Sequence, residues 1–148
     1  MMENTYENQD MDSIFGSSRV SEYMDTPYGF VIAADQDIQA STIQKFKDHY
    51  GLSLEQVSSL ISVSEPTIYR WIQDDRSLDK NISIKLLELT NLFQYAIRLF
   101  ESKKAFFAWL LQANISIGGI APMQLLEIPE GINKVRDIIG RIEYGVYS

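Results

Sequence analysis

Residues 106–148 constrain the fold more than any earlier part of the 148-residue chain. They read FFAWLLQANISIGGIAPMQLLEIPEGINKVRDIIGRIEYGVYS, three short apolar segments parted by turn signals at Gly118-Gly119 and Pro129-Glu130-Gly131. Glycine pairs and Pro-X-Gly runs break a helix at set places, so several short helices are expected here instead of one long one. Ser102 is placed to cap the first, with Lys103 and Lys104 in its first turn and Phe106, Phe107, Trp109, Leu110 and Leu111 as its apolar load. Asn114 is placed as a C-terminal stop. Pro122 opens a second helix through Leu125 and Leu126, where its missing N–H does no harm, and Pro129 ends it. A last helix is expected from about Glu130 to Tyr144. Ile132, Val135, Ile138, Ile139 and Ile142 face inward at helical spacing, and Lys134, Arg136 and Arg141 lie on its wet face.

Upstream, residues 79–102 form one long amphipathic pattern. Ile82, Ile84, Leu86, Leu87, Leu89, Leu92, Phe93, Ala96, Ile97, Leu99 and Phe100 cover more than one face of a helix. Such a helix is either central to the fold or shared with a second subunit, and a homodimer is expected. A helix lying on a membrane surface would carry more Lys and Arg.

Ahead of it, residues 51–74 read GLSLEQVSSLISVSEPTIYRWIQD. Ile43, Phe46 and Tyr50 make a preceding helical stripe that Gly51 closes. Ser53 can cap a helix with Glu55 and Gln56 in its first turn and Leu54, Val57, Leu60 and Ile61 inward. Ser62-Val63 makes a short turn. Ser64 caps the next helix, Pro66 sits in its first turn, and Ile68, Trp71 and Ile72 form its buried face. Two short helices with so tight a turn make a helix-turn-helix.

Residues 1–26 are acidic with few apolar anchors and read as a tail that is mobile when free. The segment 28–34, Tyr-Gly-Phe-Val-Ile-Ala-Ala, reads as a short strand or an extended arm. The net charge of −7 comes from this quarter of the chain, because residues 1–38 hold eight acids and one base. Charge therefore gives a nucleic-acid role no bulk support and does not exclude one.

The absence of cysteine removes thiol catalysis, thiolate metal sites and disulfides. No apolar run reaches the ~18–20 residues needed to span a bilayer, and no basic n-region precedes an apolar h-region. A cytoplasmic protein with no membrane attachment is expected. The only histidine, His49, reads as an exposed or capping residue. With no His-x-Glu pair, nucleophile elbow, Walker loop or ligand cluster, no catalytic residue, metal or cofactor is assigned and an enzyme is not expected.

Leu52 to Ser64 with Thr67-Ile-Tyr-Arg-Trp71 resembles the phage-repressor-like (Xre) helix-turn-helix. Val63, Ile68 and Trp71 fall on that family's core positions. Ser62 stands where the family has its turn glycine, and Leu54 stands where a polar phosphate contact is common. The resemblance implies that the helix after Ser64 enters the major groove of operator DNA. Glu65, Thr67, Tyr69 and Arg70 would face the bases, with Arg70 the one base among them. Lys45 and Lys47, with Arg76 and Lys80, would touch phosphates.

The C-terminal third resembles the toxin-binding domain of the Xre/MbcA/ParS antitoxins. Trp109-Leu110, Asn114, Gly118-Gly119, Pro122, Leu125-Leu126, Pro129-Glu130-Gly131, Val135, Arg141-Ile142 and Gly145-Val146 follow that pattern in order. Ala113 departs where Pro usually precedes the Asn, and Ile128 where a small polar residue often precedes Pro-Glu-Gly. The resemblance implies an antitoxin whose partner is a RES-domain toxin acting on NAD. The segment covering the toxin's active site would be Arg141, Tyr144, Gly145, Val146 and Tyr147. It also implies repression of its own operon. The alternative is a stand-alone helix-turn-helix repressor whose C-terminal half only dimerises.

The expected architecture is all-α. It divides into an acidic tail (1–38), a helix-turn-helix domain (39–80), and a central helix leading into a toxin-binding half (81–148).

Overall fold

A computed structural model describes residues 9–16 and 28–145. The secondary structure among them is helical, with nine α-helices, one 3-10 turn and no strands. The all-α expectation holds. None of these helices is long and apolar enough to cross a membrane. The chain divides into two compact units, Met1–Asn91 and Leu92–Ser148.

The first unit holds α1 (Gln9–Phe15), α2 (Gly29–Ala34), α3 (Ser41–Tyr50), α4 (Leu54–Ile61), α5 (Glu65–Asp74) and the start of α6 (Lys80–Phe100). Ile43 and Phe46 of α3, Val57 and Leu60 of α4 and Ile68 of α5 are fully buried. The i, i+3 spacing in α3 and α4 explains why each turns one stripe inward, while α5 buries Ile68 alone, with Trp71 and Ile72 half-buried. Gly51 closes α3 at φ 65°. Ser53 accepts from the Gln56 amide while Gln56 Oε1 accepts from the Ser53 amide at 2.8 Å, a reciprocal cap. Ser64 caps α5 by accepting from the Thr67 amide.

Two segments depart from the expected tail and arm. Gln9–Phe15 is a helix that buries Met11 and Ile14 and packs against α3. Asp10 of α1 lies 3.3 Å from His49 Nε2 and accepts the Tyr50 hydroxyl proton at 2.8 Å. His49 is therefore neither a cap nor freely exposed; it sits edge-on to Tyr50 beside that carboxylate. Residues 29–34 are helical too, against the strand or arm expected of them. A strand needs a neighbour for its N–H and C=O groups, and the described residues offer none. The segment bonds locally instead, the Val31 and Ile32 amides donating to the Tyr28 carbonyl.

Residues 38–40 and 76–78 clasp through an antiparallel bridge between Gln39 and Ser77. The Ala40 amide donates to the Arg76 carbonyl and the Leu78 amide to the Ile38 carbonyl, both at 2.8 Å. This ties the end of α5 to the start of α3.

The second unit holds the end of α6, α7 (Lys103–Leu111), a 3-10 turn (Ile115–Ile117), α8 (Pro122–Leu125) and α9 (Gly131–Glu143). Phe93 packs edge-to-face on Phe106 at 5.5 Å and on Phe107 at 5.4 Å. Phe100 sits 5.4 Å from Trp109. Ser102 caps α7 through the Ala105 amide. Leu111, expected as part of the apolar load, is 48% exposed. Asn114 is not the stop of α7, which ends at Leu111. It opens the following 3-10 turn, its Oδ1 accepting from the Ser116 amide at 2.9 Å. Its backbone bridges to Ile120, closing a loop in which Gly118 and Gly119 both have φ 84°. Non-glycine residues avoid that region.

Candidate functional site

In the first unit the outward face of α5 carries the residues expected to meet DNA. Glu65 and Arg70 are exposed, Thr67 is half-buried, and Tyr69 is 62% exposed. One turn of the helix organises three of its polar groups. Ser64 Oγ donates to Thr67 Oγ1 at 2.8 Å, and Arg70 Nη2 donates to the same oxygen at 3.2 Å. The turn before α5 is held by Ser62 at φ 57° and by Ser58 Oγ, which donates to the Val63 carbonyl at 2.5 Å.

The basic residues around it are less available than their sequence positions suggest. Lys45 is exposed. Lys47 lies 3.4 Å from Asp48, and Lys80 lies 3.5 Å from Asp35. Arg76 stacks over the Trp71 ring at 5.4 Å, a cation–π contact invisible in the charge count. Hydrogen bonds from Gln44, then the Lys47 charge and hydrogen bond, hold the Asp48 carboxyl below its ordinary range despite some desolvation.

In the second unit α8 and α9 fix the position of the C-terminal residues. Gln124 Oε1 accepts from the Ala121 amide at 2.9 Å, securing the start of α8. Glu130 takes a left-handed conformation, φ 66°, and Gly131 begins α9 against the backbone of Leu125. α9 buries Ile132, Val135, Ile138 and Ile139, as its periodicity predicts, while Ile142 is only half-buried. Arg141 and Tyr144 are exposed, Tyr144 by 80%. Gly145 follows at φ 69°. Val146 and Tyr147, also expected at this site, lie outside the described residues.

Sequence reasoning missed what stands beside Tyr144. Tyr95 of α6 donates its hydroxyl to Glu143 Oε1 at 3.0 Å. Arg136, expected on the wet face, is half-buried and stacks over the Tyr95 ring at 5.7 Å. Burial first, and the Glu143 carboxylate second, raise the Tyr95 phenol above its ordinary value of 10.0. Together with Asp137, Gly140, Arg141 and Tyr144 these residues line an open surface groove of ≈ 540 Å³. No short-range sequence signal links positions 95 and 143; only the fold pairs them.

Among the described residues no three His, Cys, Asp or Glu side chains gather where they could hold a metal ion. What the second unit offers is an exposed aromatic and cationic rim on a small helical base, the surface chemistry of a protein-binding domain. Residues 96–145 match the model of the antitoxin Xre/MbcA/ParS C-terminal toxin-binding domain. That match supports an antitoxin role with a toxin as partner. A search of curated proteins gave no match to the chain.

Proposed function

We propose that this protein is the antitoxin of a type II toxin–antitoxin pair. It neutralises a RES-domain, NAD-targeting toxin by laying its C-terminal segment over the toxin's active-site cleft. The observation that carries the reading is Tyr144, 80% exposed at the end of α9 inside the toxin-binding domain. Arg141 is exposed one turn earlier, and Gly145 is left-handed just past the end of α9. A pocket built for aromatic rings and phosphates accepts a tyrosine and a guanidinium as competitors of its substrate. Val146 and Tyr147 extend the same segment.

The same reading gives the first unit a DNA-binding role through an Xre-like helix-turn-helix, by which the protein represses its own operon. Glu65, Thr67, Tyr69 and Arg70 read the major groove, and Lys45 and Lys47 contact phosphates. The outward side chains of α5, with Arg70 held by Thr67, favour this. The protein works as a homodimer in the cytoplasm. The half-buried Ile82, Ile84, Ile97 and Leu99 on a helix already apolar on its inner face support a second copy. A stand-alone repressor is the weaker reading, because it gives a toxin-binding domain no partner.

The experiment is a truncation after Glu143, co-expressed with the toxin encoded beside the antitoxin. Cells should lose protection while the truncated protein keeps its helical circular dichroism and melting transition. Protection equal to that of the full chain would place the neutralising surface elsewhere.

A further inference from the structure

α9 contains a glycine that its own unit does not use. Gly140 lies within the helix, three residues before its end, and its φ is not positive. A Cβ built there would meet nothing within 4 Å among the described residues. Glycine in a helix interior is less stable than alanine by roughly 0.5–1 kcal/mol. Gly131 contrasts with it, since a Cβ there would strike the Leu125 backbone. Packing explains Gly131 and leaves Gly140 unexplained.

The surroundings of Gly140 are suited to an occupant. It lines the open groove together with Tyr95 and Tyr144. Asp137 precedes it by three residues and Arg141 follows it by one, both exposed. Neither side chain makes a hydrogen bond or ion pair among the described residues. Glu143 is already engaged by the Tyr95 hydroxyl. An acceptor and a donor one helical turn apart, flanking a position with no side chain, match the N–H and C=O of an extended backbone.

We infer that the groove over Gly140 seats an extended peptide segment of the toxin, whose backbone rests on Gly140, donates to Asp137 and accepts from Arg141. This rests on the antitoxin reading above and adds a second contact: the antitoxin's end enters the toxin, and a toxin segment enters the antitoxin. The groove is continuous with Arg141 and Tyr144, so one approach engages both.

The test uses the purified full-length chain and the purified toxin encoded beside it. Affinity is measured by calorimetry and the melting temperature of each free variant is recorded. Gly140→Ala should raise the melting temperature of the free antitoxin by about 2 °C while weakening toxin binding at least about tenfold. Asp137→Ala should weaken binding, and Asp137→Asn should restore most of it, because an amide oxygen still accepts a peptide N–H. Wild-type affinity in Gly140→Ala would overturn the inference and leave the antitoxin reading standing. A loss in Asp137→Asn equal to that in Asp137→Ala would make the occupant a cation and overturn the peptide assignment. A change in the sedimentation of free Gly140→Ala with toxin affinity intact would make the occupant a second copy of this chain, again overturning it. No affinity in the natural chain would defeat the antitoxin reading itself and this inference with it.

Discussion

Gly131 begins α9 so close to the Leu125 carbonyl that no side-chain carbon fits between them. The obstacle is backbone, which cannot rotate out of the way, so the tight α8–α9 junction exists only with glycine there. Gly131→Ala is therefore expected to cost about 3 kcal/mol, the upper end of what over-packing usually costs. Denaturant unfolding followed by tryptophan fluorescence would register it through Trp109 in the same unit. A change below about 1 kcal/mol would mean the junction relaxes more easily than its geometry implies.

Ser62 gives the opposite sign. It holds a left-handed conformation at φ 57° in the turn between α4 and α5, where an L-residue with a Cβ is strained by roughly 1–2 kcal/mol. Its side chain is exposed and no hydrogen bond of the turn depends on it. Ser62→Gly should stabilise the protein by about 1 kcal/mol, a rise of about 3 °C in melting temperature. A lower melting temperature would show that the added freedom of the unfolded chain outweighs the relief of strain.

Tyr50 sets an alkaline limit on the first unit. Its hydroxyl donates to Asp10 at 2.8 Å, and burial, then the Asp10 charge, raise its pKa far above 10.0. The folded state thus holds the phenol proton more tightly than the unfolded chain. Its contribution to stability is complete below about pH 10 and is lost as pH rises beyond that. Tyr50→Phe should cost about 1.5 kcal/mol at pH 7 yet lose less stability between pH 9 and 11 than the natural chain does. Urea unfolding across that range measures both effects. Parallel stability curves for the two proteins would refute the assignment.

On the DNA side, Arg70→Ala should weaken binding to the preferred operator by about 1–3 kcal/mol and relax the preference at one base pair. Lys45→Ala should weaken binding to all sequences alike and lower the salt slope by about 1. Thr67→Val keeps the shape of the side chain but removes the oxygen that Arg70 donates to, and should blunt sequence preference in the same direction as Arg70→Ala. Fluorescence anisotropy with an operator and a scrambled duplex at two salt concentrations distinguishes these outcomes. Identical losses on both duplexes for Arg70→Ala would remove it from base reading.

The caps were legible because they are local: Ser53, Ser64 and Ser102 each bond an amide three residues on, and that rule needs no tertiary knowledge. The core stripes of α3, α4 and α9 followed largely from spacing, whereas α5 buries only Ile68 of its expected face, Trp71 and Ile72 being half-buried. Where the sequence misled, the decisive partner lay far along the chain. α1 has only Met11 and Ile14 to show, and its anchors His49 and Tyr50 lie about forty residues away. The β-branched run in residues 28–34 suggested a strand, but propensity cannot supply the neighbour a strand needs. Asn114, expected as a helix stop, opens the 3-10 turn and bridges to Ile120, a pairing its sequence position does not signal. At the candidate site Arg141, Tyr144 and Gly145 read in the sequence as parts of one short segment. The groove beside them depends on Tyr95 and was not visible until α6 and α9 were side by side.

Because Met11 and Ile14 are among the most deeply enclosed side chains of the first unit, the acidic leader cannot be treated as a dispensable solubility sequence. Replacing residues 1–16 by an affinity tag would strip apolar cover from α3, and the recombinant product would precipitate on concentration. A tag joined ahead of Met1 would leave that cover in place and keep the protein in solution.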